Sequence, residues 1–123
     1  MTHTLRVKDS FSAAHRLVGA GGKCENLHGH NFAVELVVRG RRLDGAGMLM
    51  DFTELRAILA RILGRLDHRD LNRHPDLGES PSSERIASWI FARAEEALAG
   101  REAEVAAVTV AESEKTSATC ERG

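Results

Sequence analysis

HGHNFAVELVVR, residues 28–39, alternates with the period of a half-buried strand. His30, Phe32, Val34, Leu36 and Val38 share one face, and Asn31, Glu35 and Arg39 share the other. Upstream, TLRVKDSFSAAHRL (residues 4–17) alternates in part, with Leu5, Val7, Phe11, Ala13 and His15 on odd positions, and this predicts a preceding strand. The segment between the two, Val18 to Asn26, carries Gly19, Gly21 and Gly22 and reads as a loop. Downstream, Arg41 to Met50 is a connection, and a helix begins at Asp51. Its apolar stripe is Phe52, Leu55, Ile58, Leu59, Ile62, Leu63 and Leu66, and Asp51 and Glu54 are spaced like a capping box. A loop from Asp67 to Ser80 leads to a second helix, with Ser80 as N-cap, Pro81 in the first position, and Ile86, Trp89, Ile90, Ala94, Ala97 and Leu98 as the buried stripe ending before Gly100. Val105 to Glu112 predicts a third strand with Ala106, Val108, Val110 and Glu112 on one side, and Ser117 to Arg122 a short fourth.

The order ββααββ lacks the alternation of a doubly wound parallel fold. The expected class is α+β: a four-stranded antiparallel sheet with both helices on one face. With 123 residues, the chain is read as a single domain spanning 1–123. Such a sheet has two open edges, and edge-to-edge oligomerisation would cover them.

Composition narrows the function. Seventeen basic against 18 acidic residues give a net charge of −1, so there is no overall positive field to attract nucleic acid or anionic lipid. No apolar run reaches the roughly 18 residues of a membrane span, and the N-terminal stretch carries charges where a secretory segment is apolar. A cytoplasmic location is the expectation, and with it two free thiols, Cys24 and Cys120, in preference to a disulfide.

The chemistry concentrates on histidines. His28 and His30 flank Gly29 on a strand, so their side chains leave the same face about 7 Å apart. His15, near the end of the preceding strand, would be brought beside them by antiparallel pairing. Three histidines with an open fourth position describe a catalytic zinc site. A His-x-His pair is also what surface histidines or hydrogen-bonded core histidines look like, and spacing alone leaves these readings open. Cys24 lies in the polar, Gly-rich loop beside Lys23, four positions before His28, and is a candidate acid/base or fourth zinc ligand. Asp67 and His68 offer a carboxylate–imidazole pair, against the plainer reading of a histidine at a helix end. His74, before Pro75, is read as exposed. Glu112 closes an apolar strand face and is either the strand's exit to solvent or an acceptor for a planar guanidine-like edge, with Glu114 as its rival in parity.

Taken together, His15, Cys24-x-x-x-His28-Gly29-His30, Asp67-His68 with Leu71-Asn72, Pro81-Ser82-Ser83-Glu84 and Glu112 resemble the 6-pyruvoyltetrahydropterin synthase family nearly end to end. The three-residue gap between Cys24 and His28 is similar to its bacterial branch, the 6-carboxytetrahydropterin synthases of queuosine and other 7-deazapurine pathways. The resemblance implies the tunnelling fold, trimers that join sheets into a barrel, and a homohexamer formed as a dimer of trimers with sites between subunits. It further implies Zn2+ held by His15, His28 and His30, Cys24 as proton-abstracting base, Asp67 and His68 as acid/base partners, and Glu112 as anchor of the pterin ring. The implied substrate is 7,8-dihydroneopterin triphosphate, with Lys23, Arg69, Arg73 and Lys115 as candidate phosphate partners. One departure is Cys120, where many relatives carry an aromatic residue.

Overall fold

The computed structural model describes residues 1–123. Its elements are β1 (His3–His15), β2 (His28–Gly40), α1 (Phe52–Leu63), β3 (Arg69–Asp70), α2 (Ser83–Ala97), β4 (Glu104–Ser113) and β5 (Thr116–Glu121). The strands form one sheet in the order β3-β1-β2-β4-β5. Helix α1 packs on β1, and α2 packs on β4 and β5.

The α+β class and the helix pair are as expected, but the sheet has five strands and is mixed, where four antiparallel strands were expected. The extra strand is β3, which runs parallel to β1 through Ala13 opposite Arg69 and Ala14 opposite Asp70. Two residues are too few to show an alternation in sequence, and β3 owes its seat to the turn before it. There His68 adopts a left-handed conformation, φ 59°, and its N–H reaches the Ser12 carbonyl at 2.6 Å.

The core is one cluster of buried side chains between the sheet and the two helices, drawn from alternate positions of β1, β2 and β4. Phe11 and Phe32 stand opposite one another in the β1–β2 ladder and stack with centroids 4.9 Å apart. In α1, Asp51 caps the helix by accepting the Thr53 N–H at 2.7 Å. The capping box is not completed, because Glu54 pairs with Arg101 across the surface. Leu55, Ile58, Leu59, Ile62 and Leu63 are buried on α1, with Leu66 just beyond it, whereas Phe52 in the first turn is 53% exposed and leaves the expected stripe.

Helix α2 starts later than expected. Ser82, not Ser80, is the N-cap, its hydroxyl accepting the Arg85 N–H at 3.2 Å. Ser80 instead accepts the Val18 N–H at 3.2 Å, and so ties the Gly-rich loop to the approach to α2. Ala97 is exposed, while Leu98 closes the buried stripe. In β4 the register against β2 shifts between Val37 and Val38 and leaves Ala106 unpaired. This bulge puts Val105 on the core face with Val108 and Val110, where parity had placed Ala106.

Phe32 is fully buried and Phe52 is not. Phe32→Ala should therefore lower the unfolding free energy by about 3–5 kcal/mol. Phe52→Ala should change it by less than about 0.5 kcal/mol. Urea unfolding of the two variants checks the assignment of the core face.

Candidate active site

The β1–β2 register sets His15 opposite His28 and Ala13 opposite His30. All three imidazoles thus continue the Phe11/Phe32 stripe and lie at the end of the helix-covered face. The Phe32 ring meets His15 and His30 edge-on, with centroids 5.4 and 5.3 Å away. One nitrogen from each ring lies within 4.8 Å of the other two.

The outward nitrogens are already spoken for. His15 Nδ1 donates to the Pro81 carbonyl at 2.8 Å, and His28 Nδ1 donates to the Asn26 carbonyl at 2.7 Å. A carbonyl oxygen only accepts, so Nδ1 carries the proton in both rings and Nε2 presents a lone pair. Fixing a histidine's tautomer through its other nitrogen is what the outer hydrogen bonds of a metal site do. His15 is completely buried, and its Nε2, like that of His30, is buried with no hydrogen-bond partner. Buried polar atoms without partners are rare in native proteins and call for a ligand. Three convergent imidazole nitrogens, two of them orphaned, suit a transition metal with nitrogen ligands. The pKa of His30 is lowered, chiefly by burial, with Glu112 opposing and His28 and His15 reinforcing the shift. The neutral form that can ligate a metal is therefore favoured.

Glu112 joins this group from β4. Its Oε2 lies 3.4 Å from His30 Nε2 and its Oε1 3.8 Å from His15 Nε2, while the Ser83 hydroxyl donates to Oε1 at 2.9 Å. Glu114, its rival in parity, is exposed beyond the end of β4. The Cys24 thiol is exposed in a 3-10 turn, Gly22–Glu25, outside the histidine group.

Asp67 and His68 lie elsewhere. Asp67 Oδ1 accepts the Ser12 N–H at 2.9 Å, and Oδ2 contacts His68 Nδ1 at 2.9 Å. His68 lines an open depression of about 550 Å³ with Ser12, His30, Asn31 and Arg69, beside the β1–β3 edge. The depression thus reaches His30, a partly exposed member of the histidine group, of which only His15 is fully buried. Among the candidate phosphate partners, Arg69 borders this depression. Lys115 borders another of about 560 Å³ beside Lys8 and Glu35. Arg73 stands 3.7 Å from Asp70, and Lys23 is exposed in the Cys24 turn. His74 is half-buried against Trp89, not exposed.

Sequence reasoning gave Pro81 a place only in the second helix, quoted Asn72 and Ser83 only within motifs, and assigned none of the three a contact in the site. Asn72 accepts the Arg16 N–H at 2.8 Å and donates to the Arg16 and Glu79 carbonyls at 3.0 and 2.9 Å. It thereby joins the exit of β1, next to His15, to the segment that delivers Pro81. The Asp-His-x-x-Leu-Asn and Pro-Ser-Ser-Glu strings were visible as motifs, but contacts through a backbone carbonyl leave no mark in sequence.

Comparison with known proteins agrees with this geometry. The family model described as PTPS, 6-pyruvoyl tetrahydropterin synthase, matches residues 4–123. The chain is 48% identical over 93 residues to a 6-carboxy-5,6,7,8-tetrahydropterin synthase of Synechocystis sp., covering 72% of this chain and 71% of that protein. It is 40% identical over 91 residues to a dihydroneopterin monophosphate aldolase of Pyrococcus furiosus, covering 74% of each. The structure of a Caenorhabditis elegans 6-pyruvoyl tetrahydropterin synthase superposes with a TM-score of 0.86 at 28% identity, covering 100% of this chain and 97% of that one.

The Asp67 contacts make a pH prediction. Its carboxyl is held below the ordinary carboxylate range, first by the Ser12 N–H and then by His68. A carboxylate with a lowered native pKa adds stability that is fully present above the unfolded value of about 3.9 and is lost as pH falls through the native value. The stability difference between wild type and Asp67→Asn, followed by urea unfolding, should therefore be constant from pH 7 to about 5 and shrink below about pH 4. A difference that grew on acidification would show that Asp67 does not act as an anion.

Proposed function

The chain belongs to the 6-pyruvoyl tetrahydropterin synthase family, and from that premise we propose that it is a zinc-dependent 6-carboxy-5,6,7,8-tetrahydropterin synthase. It would convert 7,8-dihydroneopterin triphosphate to 6-carboxytetrahydropterin with release of acetaldehyde and triphosphate, within queuosine or related 7-deazapurine synthesis. The observation that carries the reading is the convergence of three imidazole nitrogens at the rim of the core, two of them buried without partners. The 48% identity to the Synechocystis enzyme favours the carboxy branch.

His15, His28 and His30 would hold the ion. Zinc there would supply Lewis acidity to the hydroxyls of the substrate side chain. The remaining work falls to the chain's own groups. Cys24, exposed on its turn, removes a proton as thiolate. His68, oriented at Nδ1 by Asp67, presents Nε2 to hold or return one. The carboxylate of Glu112 accepts from the pterin 2-amino group and ring N–H, a pairing in which charge strengthens each hydrogen bond. Because Cys24 is exposed on its own turn and does not border the depression that His68 lines, the reading assigns them to sites built by neighbouring copies in a cytoplasmic homohexamer of single-domain chains.

Incubation with 7,8-dihydroneopterin triphosphate should release acetaldehyde and leave a pterin with the mass of the 6-carboxy product. Retention of the side chain in a 6-pyruvoyl product, or turnover confined to the monophosphate, would overturn the assignment. Purified protein should carry one zinc per chain, measured by elemental analysis, and His28→Ala should lose it. Cys24→Ala should keep zinc while turnover falls by about 10²–10⁴. Loss of metal in that variant would instead indicate a closed, non-catalytic site with Cys24 as a ligand.

A further inference from the structure

Glu112 occupies an irregular point of the sheet. The register between β4 and β5 shifts between Ala111 and Ser113, so Glu112 has no partner on β5. A bulge of this kind re-aims a side chain. Here it turns the carboxylate against two buried histidine nitrogens, with Ser83 fixing Oε1 and leaving Oε2, the oxygen nearer His30, free.

The contact with His15 is informative because the tautomer is known. Pro81 takes the Nδ1 proton, so in the neutral ring Nε2 has only a lone pair to offer, and it faces a carboxylate oxygen at 3.8 Å. Two acceptors aimed at one point repel unless a cation stands between them. The separations also fit. Donors sharing a tetrahedral ion at bond lengths of about 2.0–2.1 Å stand about 3.3 Å apart. Oε2 and His30 Nε2 are 3.4 Å apart. Three neutral imidazoles also leave both charges of a divalent ion uncompensated at the rim of an apolar core, where a carboxylate would halve the net charge.

We propose that Glu112 is the fourth protein donor to the metal held by His15, His28 and His30, and that a bound pterin ring draws it away, freeing that position for the substrate side chain. The second half rests on the pterin-binding role given to Glu112 above; the first does not. The carboxylate thus has two alternative partners, the metal or the pterin edge.

The test uses zinc competition against a chromophoric chelator and the visible absorption of the cobalt-substituted protein. Glu112→Gln should weaken zinc binding by about 10- to 100-fold and shift the cobalt bands. Glu112→Asp, which keeps the charge but withdraws it by one methylene, should move both readouts in the same direction and guards against a folding defect in the amide variant. Glu114→Gln should leave both unchanged. Pterin lacking a side chain, which has no hydroxyl to offer the metal, should shift the wild-type cobalt bands toward those of Glu112→Gln and leave the variant's bands in place. Unchanged or tighter zinc binding in both Glu112 variants would overturn the ligand assignment. Fluorescence titration separates the two readings: pterin that binds without moving the wild-type bands refutes the exchange, and pterin that does not bind refutes the anchor role while the chelator competition still decides the ligand.

Discussion

The antiparallel register of β1 on β2 is the constraint on which the site depends. It sets Phe11 against Phe32, Ala13 against His30 and His15 against His28, and so makes one stripe that is aromatic toward the core and imidazole at its end. The period of two leaves no intermediate solution: a slip of one residue would send every member of the stripe to the uncovered face. Burial of Phe32 and its stack on Phe11 therefore hold the histidines in place as firmly as any polar contact does. Ala13, opposite His30, and Gly29, between the two β2 histidines, keep this end of the ladder free of bulk.

The sheet supplies position, and the start of α2 supplies orientation. Because Ser82 is the N-cap, the two residues beside it are fixed relative to the helix: Pro81 turns its carbonyl to His15 Nδ1, and Ser83 turns its hydroxyl to Glu112. Asn72 and Ser80 tie the same segment to Arg16 and Val18, on the far side of His15 in sequence. The buried His15 thus has its backbone set by β1, its ring set by Pro81, and both tied together by one asparagine side chain.

The parts legible in sequence were those where one residue follows another at a fixed period. Alternation in residues 28–39 and the helical stripes of α1 and α2 gave the elements, and the order of elements gave the class. His28 and His30 were legible as a same-face pair, and His15 as their neighbour, because pairing of consecutive strands is the simplest connection. The failures are places where the period is broken. Ala106 was placed on one side with Val108 and Val110 because a bulge does not announce itself, β3 is shorter than any periodic signal, and Ser80 has the same capping chemistry as Ser82. Phe52 is apolar but occupies the first turn of α1, where the helix rises away from the core. The proximity of Glu112 to the histidines was hidden for a related reason. Parity put it on the correct face, but only the termination of the β2–β4 ladder at Ala33 and Ala111 shows that its neighbours are imidazoles and not solvent.

One chain holds the groups of the proposed chemistry apart, and this has an architectural consequence for the proposed function. The loop bearing Cys24 is tied through Val18 to Ser80 before α2, whereas Asp67 and His68 are docked on the backbone of Ser12, and His68 lines a depression that Cys24 does not border. Under the proposed function, a thiolate and an imidazole acting at one substrate would be drawn from two copies. The sheet has the means to bring copies together, since β3 and β5 end it with unpaired backbone, and β5 carries Ser117, Thr119 and Glu121 among small residues instead of a bulky apolar row. Edge pairing would join the sheets of neighbouring copies. Under the proposed function, the separated groups and the open edges belong together, because assembly would complete the catalytic set.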